Sequence, residues 1–194
     1  MNEVVDEAVA LAGVYQLLAR LWLREVDEQL LADLSRPPLR DVFTAAGGTL
    51  PKHVDTATLE ELAVDFCQLF IGPANHLPPY QSVWQAGQFQ SSPTEPMRRY
   101  TDWLGYDADG VMLDHLGVQC DVMSRLLGSA PLAMKATGEL LRLAGTYFDL
   151  HLAWAFPLLE SAVQRAETDF YQSTIRLTRD FLTSERAFWN AVST

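Results

Sequence analysis

The chain carries little of what nucleotide, metal or disulfide chemistry is built from. Its two cysteines, Cys67 and Cys120, sit far apart on apolar helical patterns, which fits reduced core thiols better than a disulfide framework or a metal knuckle. No Gly-x-x-x-x-Gly-Lys-(Ser/Thr), Gly-x-Gly-x-x-Gly or Gly-x-Ser-x-Gly run occurs, so the glycines that cradle phosphates or form a nucleophile elbow are missing. Basic residues are scarce. Fourteen Lys and Arg against 25 Asp and Glu give a formal charge of −11, which argues against partners recognised through phosphates, since nucleic-acid binders need a basic face. Such an acidic surface serves solubility and tolerates cationic partners. There is no alternating strand pattern, no long-period repeat and no low-complexity tract. The opening MNEVVDEAVALAGVYQLLARLW has acid where a secretory signal has base, and polar residues break its apolar run. No export signal or membrane span is expected, and the compartment read from this is the cytoplasm.

What is present is helical periodicity over an ample apolar content of 48%, enough to bury one core over residues 1–194. Val4, Ala8, Leu11, Tyr15, Leu18 and Trp22 predict a long amphipathic helix to Leu23. Asp27 caps a short helix that Pro37-Pro38 ends, and another short segment from Leu39 reaches Gly47-Gly48. Thr58-Leu59-Glu60-Glu61 reads as a capping box for a helix ending at Gly72. Ser92-Pro93-Thr94-Glu95 starts a helix through Leu104, which Gly105 closes. A helix is predicted from Asp109 through Leu127. Another begins at Pro131 with Leu132, Ala136, Leu140, Leu143 and Tyr147, a further one runs over 151–165 with Pro157 as kink or new first turn, and the last spans 169–189. The fold class is all-α, a single compact helical domain of about eight to ten helices.

One stretch departs from plain helix, FCQLFIGPANHLPPYQSVW, residues 66–84. Phe66, Leu69 and Phe70 share a helical face before Gly72-Pro73 ends the helix. Pro78-Pro79 then holds the chain extended, so that Tyr80, Ser82, Val83 and Trp84 are presented from a stiffened loop, about residues 72–92. A stiff aromatic loop beside an apolar helix face makes a groove; the plainer alternative is a well-packed connection. Residues 85–91 lack periodicity and read as loop.

Downstream, Asp114-His115 is the one acid–imidazole pair. Adjacent helical residues point about 100° apart, so the two do not simply chelate one ion from one face. Two readings stay open, a helix-start pair bonded to a neighbouring loop and a ligand-binding pair; a metal-dependent hydrolase using them is the enzyme reading. His151 and Trp154 read as packing between helices. Arg98-Arg99, mid-chain in a predicted helix, reads as surface charge.

The runs Leu69-Phe70-Ile71-Gly72-Pro73 and Pro78-Pro79-Tyr80-Gln81-Ser82-Val83-Trp84, then Asp114-His115-Leu116-Gly117, then Phe148, His151, Leu152, Trp154 and Phe156 together resemble the TorD/DmsD/NarJ family, cytoplasmic chaperones that mature molybdenum-containing oxidoreductases. The Trp stands one place early against the commonest spacing. The resemblance implies a TorD/DmsD-type helical fold and no catalysis. It implies as partners the twin-arginine signal peptide and the apo form of a molybdopterin oxidoreductase, held from export until the cofactor is inserted. A NarJ-like chaperone of a non-exported enzyme, or one serving another metalloenzyme, is the alternative. The peptide-binding residues it implies are Phe66, Leu69, Phe70, Pro78, Pro79, Tyr80, Ser82, Val83, Trp84, Asp114 and His115, with Asp114 meeting the leader's arginines. It further allows weak GTP binding at no identifiable site and a domain-swapped homodimer. No resident cofactor, nucleic acid or stable membrane insertion is implied.

Overall fold

In the computed structural model, which describes residues 2–89, 94–131 and 137–192, the chain is all-α as expected, with ten α-helices among the described residues. They are α1 (Asn2–Leu23), α2 (Glu28–Leu34), α3 (Leu39–Ala45), α4 (Thr56–Phe66), α5 (Gln81–Ala86), α6 (Thr94–Leu104), α7 (Leu116–Gly128), α8 (Thr137–His151), α9 (Ala155–Arg165) and α10 (Asp169–Val192). None of the described helices is long and apolar enough to cross a membrane. The chain forms two compact units, one of Met1–Leu23, Pro79–Ala155 and Leu182–Thr194, the other of Arg24–Pro78 and Phe156–Phe181.

The first unit is built on α7, whose face from Leu116 to Leu127 is almost wholly buried. Helix α1 lies along it, because Gly117 offers no side chain at the point of closest approach. A Cβ there would stand 2.6 Å from Leu23 Cγ, 2.9 Å from the Leu23 nitrogen and 3.1 Å from the Ala19 carbonyl oxygen. Polar ties fix the register, with Ser124 Oγ donating to the Ala12 carbonyl at 2.8 Å and the Tyr15 hydroxyl to Glu185 at 3.1 Å. From α8, the Tyr147 hydroxyl donates to the Gln119 carbonyl at 2.9 Å.

In the second unit, Phe43 stacks on Phe170, and Phe66 packs edge-on to Phe70 and tilted against Tyr171. Buried Asp65 accepts from the Glu167 amide, the Thr168 amide and the Thr168 hydroxyl at 3.2, 2.8 and 2.6 Å. Its carboxylate thereby satisfies free donors ahead of α10, where negative charge also meets the helix dipole favourably.

Several boundaries differ from the sequence expectation. Asp27 caps α2 as read, its carboxylate accepting from the Leu30 amide at 2.8 Å. For α4 the cap is Asp55, accepting from the Thr58 amide at 2.9 Å, so the expected box at Thr58 lies inside the first turn. α4 runs into a π turn, Cys67–Ile71, before Gly72. Cys67 is exposed, against its reading as a core thiol, because it lies about 100° off the face that buries Leu62, Phe66, Leu69 and Phe70, while Cys120 is buried. Residues 81–86 form helix α5 rather than extended loop, stopped by Gly87 at φ 75°. α7 begins at Leu116, not Asp109, because Asp109 and Gly110 take positive φ in a turn. α8 ends at His151 and α9 begins at Ala155, with Pro157 in its first turn. The expected starts at Ser92-Pro93 and across Leu132–Ala136, and the end of the 85–91 loop, lie outside the described residues.

Gly117→Ala tests the α1–α7 approach. Alanine gains about 1 kcal/mol of helix propensity, but overpacking against backbone atoms costs about 1–3 kcal/mol. The expected outcome is a lower urea midpoint at unchanged slope; an unchanged midpoint would mean that α1 shifts freely.

Candidate functional site

Residues 79–81 and 114–116 run antiparallel through an isolated bridge at Tyr80 and His115. The Gln81 amide donates to the Asp114 carbonyl at 2.9 Å and the Leu116 amide to the Pro79 carbonyl at 2.8 Å. Pro79 has no N–H to give, but its carbonyl is free to accept, so a proline here costs the bridge nothing. Two motifs more than thirty residues apart are thus set side by side within the first unit.

Each functional side chain takes its orientation from that bridge. Asp114 is 0% exposed. One of its oxygens accepts from the Ser82 amide at 3.1 Å and the Ser82 hydroxyl at 2.6 Å, which fixes the start of α5; the other, Oδ1, has no partner. His115 is the N-cap of α7, its Nδ1 accepting from the Gly117 amide at 3.0 Å. The proton of the neutral ring therefore sits on Nε2. The Tyr80 ring stands between Phe89 and His115, edge-on to both with centroids 5.2 and 4.9 Å away. Burial, and after it the Asp114 charge, raises the Tyr80 phenol.

The pair behaves as the helix-start reading expected, each member bonded to a different element. Asp114 and His115 share no hydrogen bond, so the orienter-and-base geometry of a hydrolase is not formed. Among the described residues no group of three His, Cys, Asp or Glu is placed to hold a metal.

Of the residues singled out in the sequence, Pro79, Tyr80, Ser82, Asp114 and His115 are brought together in the first unit, with Val83 and Trp84 half-buried on α5. Phe66, Leu69, Phe70 and Pro78 belong to the second unit, where the first three are buried and Leu69 also accepts from the Leu77 amide at 2.6 Å. The sequence reading missed Phe89, which is exposed and caps Tyr80. It also missed a chain of buried amides. Trp154 Nε1 donates to Gln119, Gln119 to Gln81, and Gln81 to the Leu150 carbonyl, each at 2.7 Å. A lone glutamine on the apolar face of α7 was the available signal. His151 and Trp154 pack between helices as read, but neither His151 ring nitrogen finds a partner.

Comparison with known proteins places these features. A family model described as nitrate reductase delta subunit matches residues 27–160. The chain is similar to the chaperone protein TorD of Shewanella sp. (strain ANA-3), 33% identical over 94 residues, covering 41% of this chain and 45% of that protein. It is also similar to the chaperone protein TorD of Escherichia coli (strain K12 / DH10B), 27% identical over 137 residues, covering 61% of this chain and 66% of that one. The chain thus spans between about half and two thirds of the length of these relatives.

Burial lowers both His115 and His151 from 6.5 to about 4. Each ring is neutral in the fold and takes up a proton on unfolding once pH drops below 6.5. The stability they contribute is therefore present above that value and lost as pH falls towards 4, at up to about 1.4 kcal/mol per pH unit per ring. Urea melts across this range should show the loss. His151→Phe keeps the shape, removes two orphaned nitrogens and should leave stability at pH 7.5 equal or higher, with a shallower acid slope; an unchanged slope would assign the loss elsewhere.

Proposed function

The chain belongs to the nitrate reductase delta subunit family, the TorD/DmsD/NarJ chaperones, and from that premise we propose that it is a maturation chaperone for a molybdenum-containing oxidoreductase. On this reading it works in the cytoplasm and binds the twin-arginine leader, or the apo form, of its client until the cofactor is in place. The observation that carries the reading is Asp114, a fully buried carboxylate with one oxygen unmet, in the segment that pairs with Tyr80. An unmet buried acceptor costs about 1–3 kcal/mol, a cost that an incoming cationic donor would remove.

On this proposal the roles divide, with Pro79, Tyr80, Val83 and Trp84 taking apolar side chains of the leader. Ser82 holds the Asp114 carboxylate in orientation, and His115, with its proton on Nε2, offers a donor beside it. Asp114 is fully buried, so a guanidinium reaches it only by displacing the side chains that cover it. Burying three or four leucine-sized groups yields roughly 1.5–3 kcal/mol each, while ordering the peptide costs at least several kcal/mol. The balance lies near about −8 kcal/mol, micromolar affinity, which suits a partner that must be released. The complete shielding of Asp114 favours one second reading, a chaperone of a non-exported enzyme whose recognised segment carries no arginine pair.

Titration with a fluorescent peptide carrying an arginine pair and an apolar run tests both. Native peptide should bind with micromolar affinity, and replacing the arginines by glutamine or the apolar run by polar residues should weaken it about tenfold or more. Tyr80→Ala should weaken all peptides, and Asp114→Asn, whose amide oxygen can still accept from Ser82, should abolish the arginine preference alone. Folded Tyr80→Ala/Asp114→Ala protein with unchanged affinity would remove this site assignment. Equal binding of the arginine-free peptide would select the second reading.

A further inference from the structure

Within the first unit, α6 and α8 enclose a cavity of about 510 Å³ that the proposed function leaves unused. Pro96, Tyr100 and Trp103 of α6 and Leu143 and Leu150 of α8 form its walls, and Glu95 and Arg99 are its two charges. The spacing explains the alignment. Glu95, Arg99 and Trp103 recur every four residues along one stripe of α6, about 12 Å long, facing Leu143 and Leu150 two turns apart on α8.

Three features mark it as more than a surface dent. Trp103 is 60% exposed and Leu150 50% exposed, large apolar groups left in water at the same opening. Arg99 has no ion-pair partner among the described residues, although the chain offers 25 acidic groups to 14 basic ones. Behind the Tyr100 wall, its ring centroid 5.7 Å away, stands His151, 2% exposed with both ring nitrogens unpartnered.

We infer that this cavity binds a small aromatic monoanion, a body of one or two rings bearing a carboxylate-like group. The rings lie between the Tyr100 and Trp103 side and the leucines, and the anion meets Arg99. Glu95 disfavours a second negative charge, which selects a monoanion over a polyanion. Size decides against a macromolecule. A standard protein interface uses about 20–30 residues a side, far more than line this opening, whereas about 300–1,000 Å³ is the range of small-ligand pockets. The paired arginines of α6, which carry no role in leader recognition, acquire one through Arg99.

The test uses para-hydroxyphenylacetate and its uncharged amide, followed by calorimetry and by the Trp103 indole resonance of the full chain. The acid should bind saturably at one site, and the amide about tenfold more weakly, as expected for loss of a charge-assisted contact. Arg99→Gln, at an exposed position that folding does not need, should bring the acid down to the amide's level. Leu143→Trp should fill the cavity and abolish both, and Tyr80→Ala should change neither. No saturable binding at millimolar probe, equal binding of acid and amide, or an Arg99→Gln protein that binds as before would each overturn the assignment.

Discussion

The two backbone hydrogen bonds that flank the pairing of Tyr80 with His115 are the constraint on which the site depends. They bring the extended Pro-Pro segment alongside the start of α7, and every neighbouring side chain takes its direction from that alignment. With the strands one residue out of register, Asp114 would lose Ser82, and His115 would no longer face Tyr80, because adjacent residues in extended chain point to opposite sides. Rigidity at both ends secures the register. Two prolines fix the approach on one side, and a buried helix, closed against α1 at Gly117, anchors the other.

Around this bridge the protein distributes its buried polar groups unevenly. Gln81, Gln119 and Trp154 satisfy one another and tie α5, α7 and α8 into one polar seam, so their burial is compensated. Asp65 likewise uses both oxygens at the start of α10. Asp114 at the bridge and His151 between the helices each leave a buried atom unmet.

The helices were legible because they rest on local signals. The stripe in α1, the cap at Asp27 and the stop at Gly72 are each set by neighbouring residues alone. The misreadings have physical causes of a different range. Thr58 and Asp55 offer overlapping start signals, and the carboxylate, the better acceptor of the Thr58 amide, wins. Cys67 stands among apolar neighbours but about 100° from the face of Leu62, Phe66, Leu69 and Phe70, so an apolar surrounding in sequence did not become burial. Helix α5 depends on Asp114 capturing the Ser82 amide from 32 positions away, which no local pattern displays. The cavity between α6 and α8 was illegible for the same reason, since Trp103 and Leu143 meet only once the helices are packed.

On the proposed function, the geometry of Asp114 also bears on how tightly a client would be held. A carboxylate with both oxygens free takes a guanidinium through two parallel bonds, the strongest form of that contact. Here Ser82 occupies one oxygen through two bonds, which leaves a single acceptor and a single bond. Ser82 thus orients the group and at the same time limits what it can contribute. A receptor made this way discriminates by charge yet draws most of its affinity from apolar contact, which weakens gradually as the bound segment is withdrawn. For a chaperone whose client must leave folded, that limit on a single strong contact is what makes release possible without an external energy source.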